Sequence, residues 1–178
     1  NLLVPSQLPS NEKIEASAFY KPHKNIGGDY YDFIQISDDE MAFCISDISG
    51  KGIPAALLMA NFQANLRTLI TGKIPLTEFI EILNRKVGEI TKSEKFITLF
   101  IATYNYNTRK LTYVNAGHNP SILFYKGEVA LLDNGCTILG MFQKLPVVQY
   151  GEVQIEPGTM VINYTDGLSE ATNSEGQL

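Results

Sequence analysis

The apolar positions of the chain recur with a two-residue period, then a helical one, then a two-residue one again, which predicts strands, two helices and more strands. Ile14, Ala16, Ala18 and Tyr20 alternate with Glu15, Ser17 and Phe19 and predict a strand. Asp29 to Ile36 follows two glycines, is rich in aromatic and β-branched residues, and predicts another. Asp38 and Asp39 turn it into Glu40 to Asp47, a hairpin whose open ends put Asp29 and Asp47 at one edge of a sheet. Ile53, Leu57, Ala60 and Ala64, with Leu58, Phe62, Leu66 and Leu69 beside them, predict a helix over 53–70 that packs on a sheet, with Pro54 in its opening turn. Leu76, Phe79, Ile80, Leu83, Val87 and Ile90 form the apolar stripe of a second helix, opposite Glu78, Glu81, Arg85, Lys86 and Glu89. From Phe96 onward β-rich segments return at 96–104, 111–115, 121–125, 129–132, 147–155 and 160–164, and the economical arrangement is an antiparallel meander, with the helices as an insertion.

Composition narrows this to one domain: 178 residues, 44% hydrophobic and 19% charged, can bury a real core. Leu2 to Pro9 is apolar and twice broken by proline, so residues 1–10 read as the end of a preceding helix or linker and 11–178 as the domain. A net charge of -5 with scattered Lys and Arg excludes a general nucleic-acid binder. No apolar run approaches the roughly 20 residues of a membrane helix, so no direct membrane insertion is expected of this segment. Cys44 and Cys136 follow no disulfide pattern, and free thiols in a reducing, cytoplasmic setting are expected. His23, alone in a loop, reads as a surface histidine.

The chemistry is concentrated where strands end. Ser46-Asp47-Ile48-Ser49-Gly50-Lys51-Gly52 sets an acid between an apolar strand and a glycine-rich turn that opens a helix. Taken alone it is also what an acid beginning a turn or capping a helix looks like. The hairpin changes the odds, because two like charges side by side repel unless a cation lies between them or one takes a proton. Tyr164-Thr165-Asp166-Gly167 repeats the theme of apolar strand, acid and glycine. His118, in the turn Ala116-Gly117-His118-Asn119-Pro120, suits either a ligand or acid–base role or a ring hydrogen-bonded across the turn. A P-loop fails on spacing, since Gly52 follows Lys51 and no glycine stands at position 45.

Gly27-Gly28-Asp29-Tyr30-Tyr31-Asp32, the run from Ser46 through Ile53-Pro54-Ala55-Ala56, Ala116 to Pro120, and Tyr164 through Leu168-Ser169-Glu170-Ala171 resemble, in that order, the SpoIIE-type branch of the metal-dependent (type 2C, PPM) protein serine/threonine phosphatases. The resemblance spans Val4 to Gly176 and implies an α+β fold, two packed antiparallel sheets flanked by helices in an α-β-β-α sandwich. It implies two Mn2+ or Mg2+ ions, with Asp47 touching both, Asp29 and the Ile48 carbonyl serving one and Asp166 the other. Gly28, Ser49, Gly50, Lys51, Gly52, His118 and Gly167 would shape the turns and the substrate side, and a metal-activated water would attack the phosphate. Ser49 stands where many relatives carry a histidine assigned to leaving-group protonation, which leaves the general acid open. The implied substrate is a phosphoserine or phosphothreonine protein, an anti-sigma-factor antagonist of STAS-like type in bacterial partner switching, with an upstream sensory or dimerising module acting through the helix over 53–70. The alternative is an inactive pseudo-phosphatase that binds a signalling partner. The family's Asp-Asp-x-Thr stretch, which carries a further ligand, does not occur before Leu178, so the C-terminal strand is expected to be missing.

Overall fold

The computed structural model describes residues 3–22, 27–50 and 52–171; the expectations for His23, for Lys51 and for a closing strand after residue 171 lie outside these. In chain order the elements are β1 (Asp29–Ser37), β2 (Glu40–Ile48), α1 (Ile53–Leu69), α2 (Leu76–Thr91), β3 (Ile97–Asn105), β4 (Lys110–Ala116), β5 (Ser121–Tyr125), β6 (Glu128–Leu132), β7 (Gly135–Cys136), β8 (Gly151–Gln154), β9 (Met160–Ile162) and α3 (Asp166–Ser169). They form a mixed α+β fold with two sheets. One runs β1-β2-β3-β4-β7 with β8 also pairing β4; the other runs β6-β5-β9.

Period-2 alternation explains how the first sheet serves two cores. Ala42, Cys44 and Ile48 of β2, with Ile97, Leu99 and Ile101 of β3, meet Leu58, Met59, Phe62 and Leu66 of α1 and Phe79, Ile80, Leu83 and Val87 of α2. The opposite face, with Met41, Phe43, Ile45, Phe100, Ala102 and Tyr104, packs toward Leu123, Leu132 and Val161 of the second sheet. Strands buried on both faces read as nearly unbroken apolar runs, as β2 and β3 do. Each large side chain so buried contributes about 1.5–3 kcal/mol. Both thiols are free, as expected.

The structure departs from the sequence reading in several places. No strand forms over 14–20; among the described residues there is only a bridge between Ser10 and Glu15, and Phe19 is 90% exposed. Two alanines bury little area, and an extended segment without a paired edge has no ladder to join. The meander is split between the sheets, because the turn after β4, with Gly117 at φ 65°, sends β5 into the second sheet. The first sheet is not wholly antiparallel, since β7 runs parallel to β4. β8 is shorter than 147–155: Val147 and Tyr150 are exposed, and pairing begins at Gly151, which lies against the Tyr113 ring. The buried face of α1 is Ala55, Leu58, Met59, Phe62 and Leu66, while Ile53 and Leu57 are 69% and 68% exposed. A helix apolar on most sides leaves its facing to tertiary packing. Leu3 and Val4 of the expected linker pack against the helical core.

Ser46 is fully buried on β2, and its hydroxyl has no hydrogen-bond partner among the described residues. An unpaired buried hydroxyl costs about 1–3 kcal/mol in desolvation. Ser46→Ala is therefore expected to leave melting temperature equal or higher in a thermal scan, and a fall of several degrees would show that the hydroxyl is satisfied.

Candidate metal centre

The β1–β2 register sets Asp29 opposite Asp47, at the open end of the hairpin. Both lie on the strand positions that face the second sheet, in step with Phe33, Phe43 and Ile45. Asp166 arrives from that second sheet, four residues after β9 ends at Ile162 and at the first position of α3. The cleft between the sheets thus gathers three acids: Asp29, Asp47 and Asp166 each offer a carboxylate oxygen within 4.8 Å of the others.

That crowding has an electrostatic cost. Burial, then the charges of Asp29 and Asp166, push the Asp47 carboxyl up to about 6, against a weaker lowering by the Ile48 amide. Burial likewise raises Asp29, with the Thr165 hydroxyl opposing and the Asp166 charge adding to the rise. Thr165 Oγ1 donates to Asp29 Oδ2 at 3.0 Å and so fixes which way that carboxylate turns.

The cradle is closed by backbone. A Cβ on Gly28 would stand 2.8 Å from the Ile48 carbonyl oxygen and 3.0 Å from Asp47 Oδ1, so any side chain there would fill the space these two oxygens border. Gly50 and Gly52 turn the chain with φ of 113° and 72°, conformations glycine adopts readily, and α1 starts directly after them. Ser49 is tied to the start of β3: its amide donates to the Phe96 carbonyl at 3.1 Å and its Oγ accepts from the Phe96 amide at 2.9 Å. Gly167 is not crowded, with only the Thr165 hydroxyl at 3.7 Å from a Cβ there. An all-oxygen set of three carboxylates, with the Ile48 carbonyl bordering the same space as Asp47 Oδ1, suits a hard divalent cation such as Mn2+ or Mg2+, whose charge would offset the burial and the neighbouring acids that raise Asp47.

His118 is brought to the same cleft but not as a free group. The residue is 8% exposed; Nδ1 lies 2.8 Å from Thr98 Oγ1 and Nε2 lies 3.2 Å from the Tyr164 carbonyl oxygen. Burial lowers its pKa to about 4, although the Tyr164 carbonyl and the Asp166 charge favour the cation. Sequence reasoning missed Thr98 and Thr165, short hydroxyls in strand-like runs. Only their position, facing or preceding an acid of the set, signals them.

A family model for stage II sporulation protein E (SpoIIE) matches residues 37–178. The chain belongs to the SpoIIE family. It is 30% identical over 178 residues to the phosphoserine phosphatase RsbU of Bacillus subtilis, covering 99% of this chain and 52% of RsbU, so it spans about half of that relative's length. Among solved structures it is similar to the PP2C phosphatase domain of SpoIIE from Bacillus subtilis, with a TM-score of 0.72 and 20% identity over 83% of this chain and 42% of that one. It is also similar to RsbX crystallised in complex with magnesium, with a TM-score of 0.58 and 23% identity over 79% of this chain and 67% of that one. This SpoIIE-family chain therefore has the PP2C phosphatase fold.

Proposed function

We propose that the chain is the catalytic domain of a protein serine/threonine phosphatase that works with two Mn2+ or Mg2+ ions. The observation that carries this reading is the convergence of Asp29, Asp47 and Asp166 from two sheets onto one point within 4.8 Å. Bound divalent ions would acidify a water and neutralise phosphoryl oxygens, without a covalent enzyme intermediate. By the resemblance, Asp47 would hold both ions, with Asp29 and the Ile48 carbonyl holding one and Asp166 the other; the three carboxylates lie close enough together to share such a centre. Thr165 orients Asp29, Gly28 leaves the approach open, and the Ser49–Phe96 pair holds the turn. His118, neutral and engaged at both ring nitrogens, does not protonate the leaving group, and that proton comes from solvent.

The proposed substrate is a phosphoserine or phosphothreonine on a STAS-like anti-sigma-factor antagonist, a reading supported by the similarity to RsbU. In a longer parent protein an upstream sensory or dimerising module would act on α1, whose first residue follows the metal-bearing turn. Substitutions at Asn61 and Asn65 are expected to change activation by that module while leaving melting temperature alone; unchanged activation would remove α1 from this role. The decisive test of the function is hydrolysis of a phosphoserine protein and of p-nitrophenyl phosphate. Turnover should appear with Mn2+ and vanish with EDTA. A binding scaffold would hold its partner with no turnover at any Mn2+ concentration.

A further inference from the structure

A continuous chain of hydrogen bonds crosses the cleft behind the carboxylates. Thr98 of β3 stands directly opposite Asp47 in the β2–β3 register, and the Asp47 amide donates to Thr98 Oγ1 at 3.3 Å. Thr98 Oγ1 lies 2.8 Å from His118 Nδ1, and His118 Nε2 lies 3.2 Å from the Tyr164 carbonyl oxygen. Only one assignment of protons satisfies every atom. A carbonyl oxygen can only accept, so Nε2 carries the hydrogen; Nδ1 of the neutral ring then accepts from the Thr98 hydroxyl, whose lone pairs receive the Asp47 amide. The backbone that carries the imidazole is fixed as well, because Asn115 Oδ1 accepts from the His118 amide at 2.8 Å and Asn115 Nδ2 donates to the His118 carbonyl at 3.0 Å.

The two ends of this chain are the backbones that carry two of the three acids. One end is Asp47 itself, in the first sheet. The other is Tyr164, two residues before Asp166, on the segment leaving the second sheet. The β5–β9 pairing stops at Ile162, and beyond it the second sheet keeps hold of the segment through the bond from Ser121 Oγ to Asn163 Oδ1. Besides the strut, the first sheet touches that segment through the bond from Thr165 Oγ1 to Asp29.

We infer that Thr98 and His118 are positioning residues of the carboxylate centre: they form a rigid strut from the Asp47 amide to the Tyr164 carbonyl that sets how closely Asp166 stands to Asp47. The inference rests on the proposed metal reading, and neither residue touches the ion or substrate. The strut's work is to hold like charges together when no cation is bound, so that the cation meets a site already assembled. Without it, part of the binding free energy goes into drawing the Asp166 segment back across the cleft.

The test is Mn2+ binding by calorimetry to the 178-residue chain and to Thr98→Val, Thr98→Ser and His118→Asn, with thermal melts in EDTA alongside. Val keeps the shape of Thr and removes the hydroxyl; Ser keeps the hydroxyl; Asn is too short to reach Tyr164. Thr98→Val and His118→Asn are expected to weaken Mn2+ binding about tenfold, the scale of losing a group that orients a ligand, with Thr98→Ser close to the parent. A role in stability alone would lower the EDTA melting temperature and leave Mn2+ affinity unmoved, and that result would overturn the inference. Equal weakening by Thr98→Ser and Thr98→Val would also overturn it, since the hydroxyl would then not be the cause. Absence of Mn2+ binding by the parent chain would sink the metal reading and the inference together.

Discussion

Asp47→Asn is expected to reduce phosphatase turnover at least about a hundredfold while making the metal-free protein more stable at neutral pH. Loss of groups that only orient a metal ligand already costs about 10–100-fold, and Asp47 is proposed as a ligand itself, with carboxylate oxygens of Asp29 and Asp166 within 4.8 Å. Asparagine has nearly the same volume, so the β1–β2 and β2–β3 ladders on either side should persist. Turnover retained at saturating Mn2+ would remove Asp47 from its assigned role.

The stability half of this prediction follows from the sign of the shift. The folded protein holds the Asp47 proton up to about pH 6, whereas the unfolded chain releases it near the ordinary carboxyl value of 3.8. Between those values the folded state binds more protons, so in EDTA this group's contribution to stability falls as pH rises from about 4 to about 6 and stays low above that. Asp29, raised for the same reason, adds to the trend. Asp47→Asn removes the penalty, worth on the order of 1 kcal/mol after allowance for solvent screening. Melting temperature in EDTA should therefore fall between pH 4.5 and pH 6.5 less steeply in the variant than in the parent, and Mn2+ should raise it in the parent alone. Identical pH profiles would show that burial and the neighbouring acids do not hold the Asp47 proton as argued.

What the sequence made legible was the part of the site that depends on short-range pattern. The Asp38–Asp39 turn and the alternation on either side give the hairpin and its open edge, while a register shift between Gln35 and Ser37, which no local pattern announces, is what sets Asp29 directly opposite Asp47 rather than Ile48. The position of Asp166 followed only from the resemblance, because nothing local says which sheet β9 joins: a strand of period two looks the same in either. For that reason a single antiparallel meander is the economical expectation, whereas the turn after β4 changes sheets. The facing of α1 was hidden by its own composition, with Ile53 and Leu57 as apolar as the residues it buries. Thr98, Thr165 and Arg67 acquire their roles from partners 20 to 136 positions away, and no local period encodes such a distance.

The most costly of those hidden contacts is the one that fastens α1 to the sheet. Asp32 is fully buried in β1, beneath the helix, and Arg67 near the end of α1 reaches it with Nε to Oδ2 at 2.7 Å and a terminal guanidinium nitrogen to Oδ1 at 2.9 Å. The Tyr30 hydroxyl also donates to Oδ2, and the Phe33 amide to Oδ1. Burial, then Cys44 and Asp32, raise the Tyr30 pKa, so the phenol stays a donor. Arg67→Met would leave a buried carboxylate without its cation. Breaking such a pair costs about 3–5 kcal/mol, and the lower end applies because the Arg67 side chain is 51% exposed. At about 2–4 °C per kcal/mol for a domain of this size, melting temperature should drop by roughly 10 °C. Replacing both partners, Arg67→Met with Asp32→Leu, removes the stranded charge as well as the bond and should recover part of that loss. A double-mutant cycle followed by urea unfolding measures the coupling directly. If Arg67→Met alone lies within about 0.5 kcal/mol of the parent, the ion pair does not hold α1 and the argument fails; if the double variant is worse than the single, the cost lies in packing around Asp32 rather than in its unpaired charge.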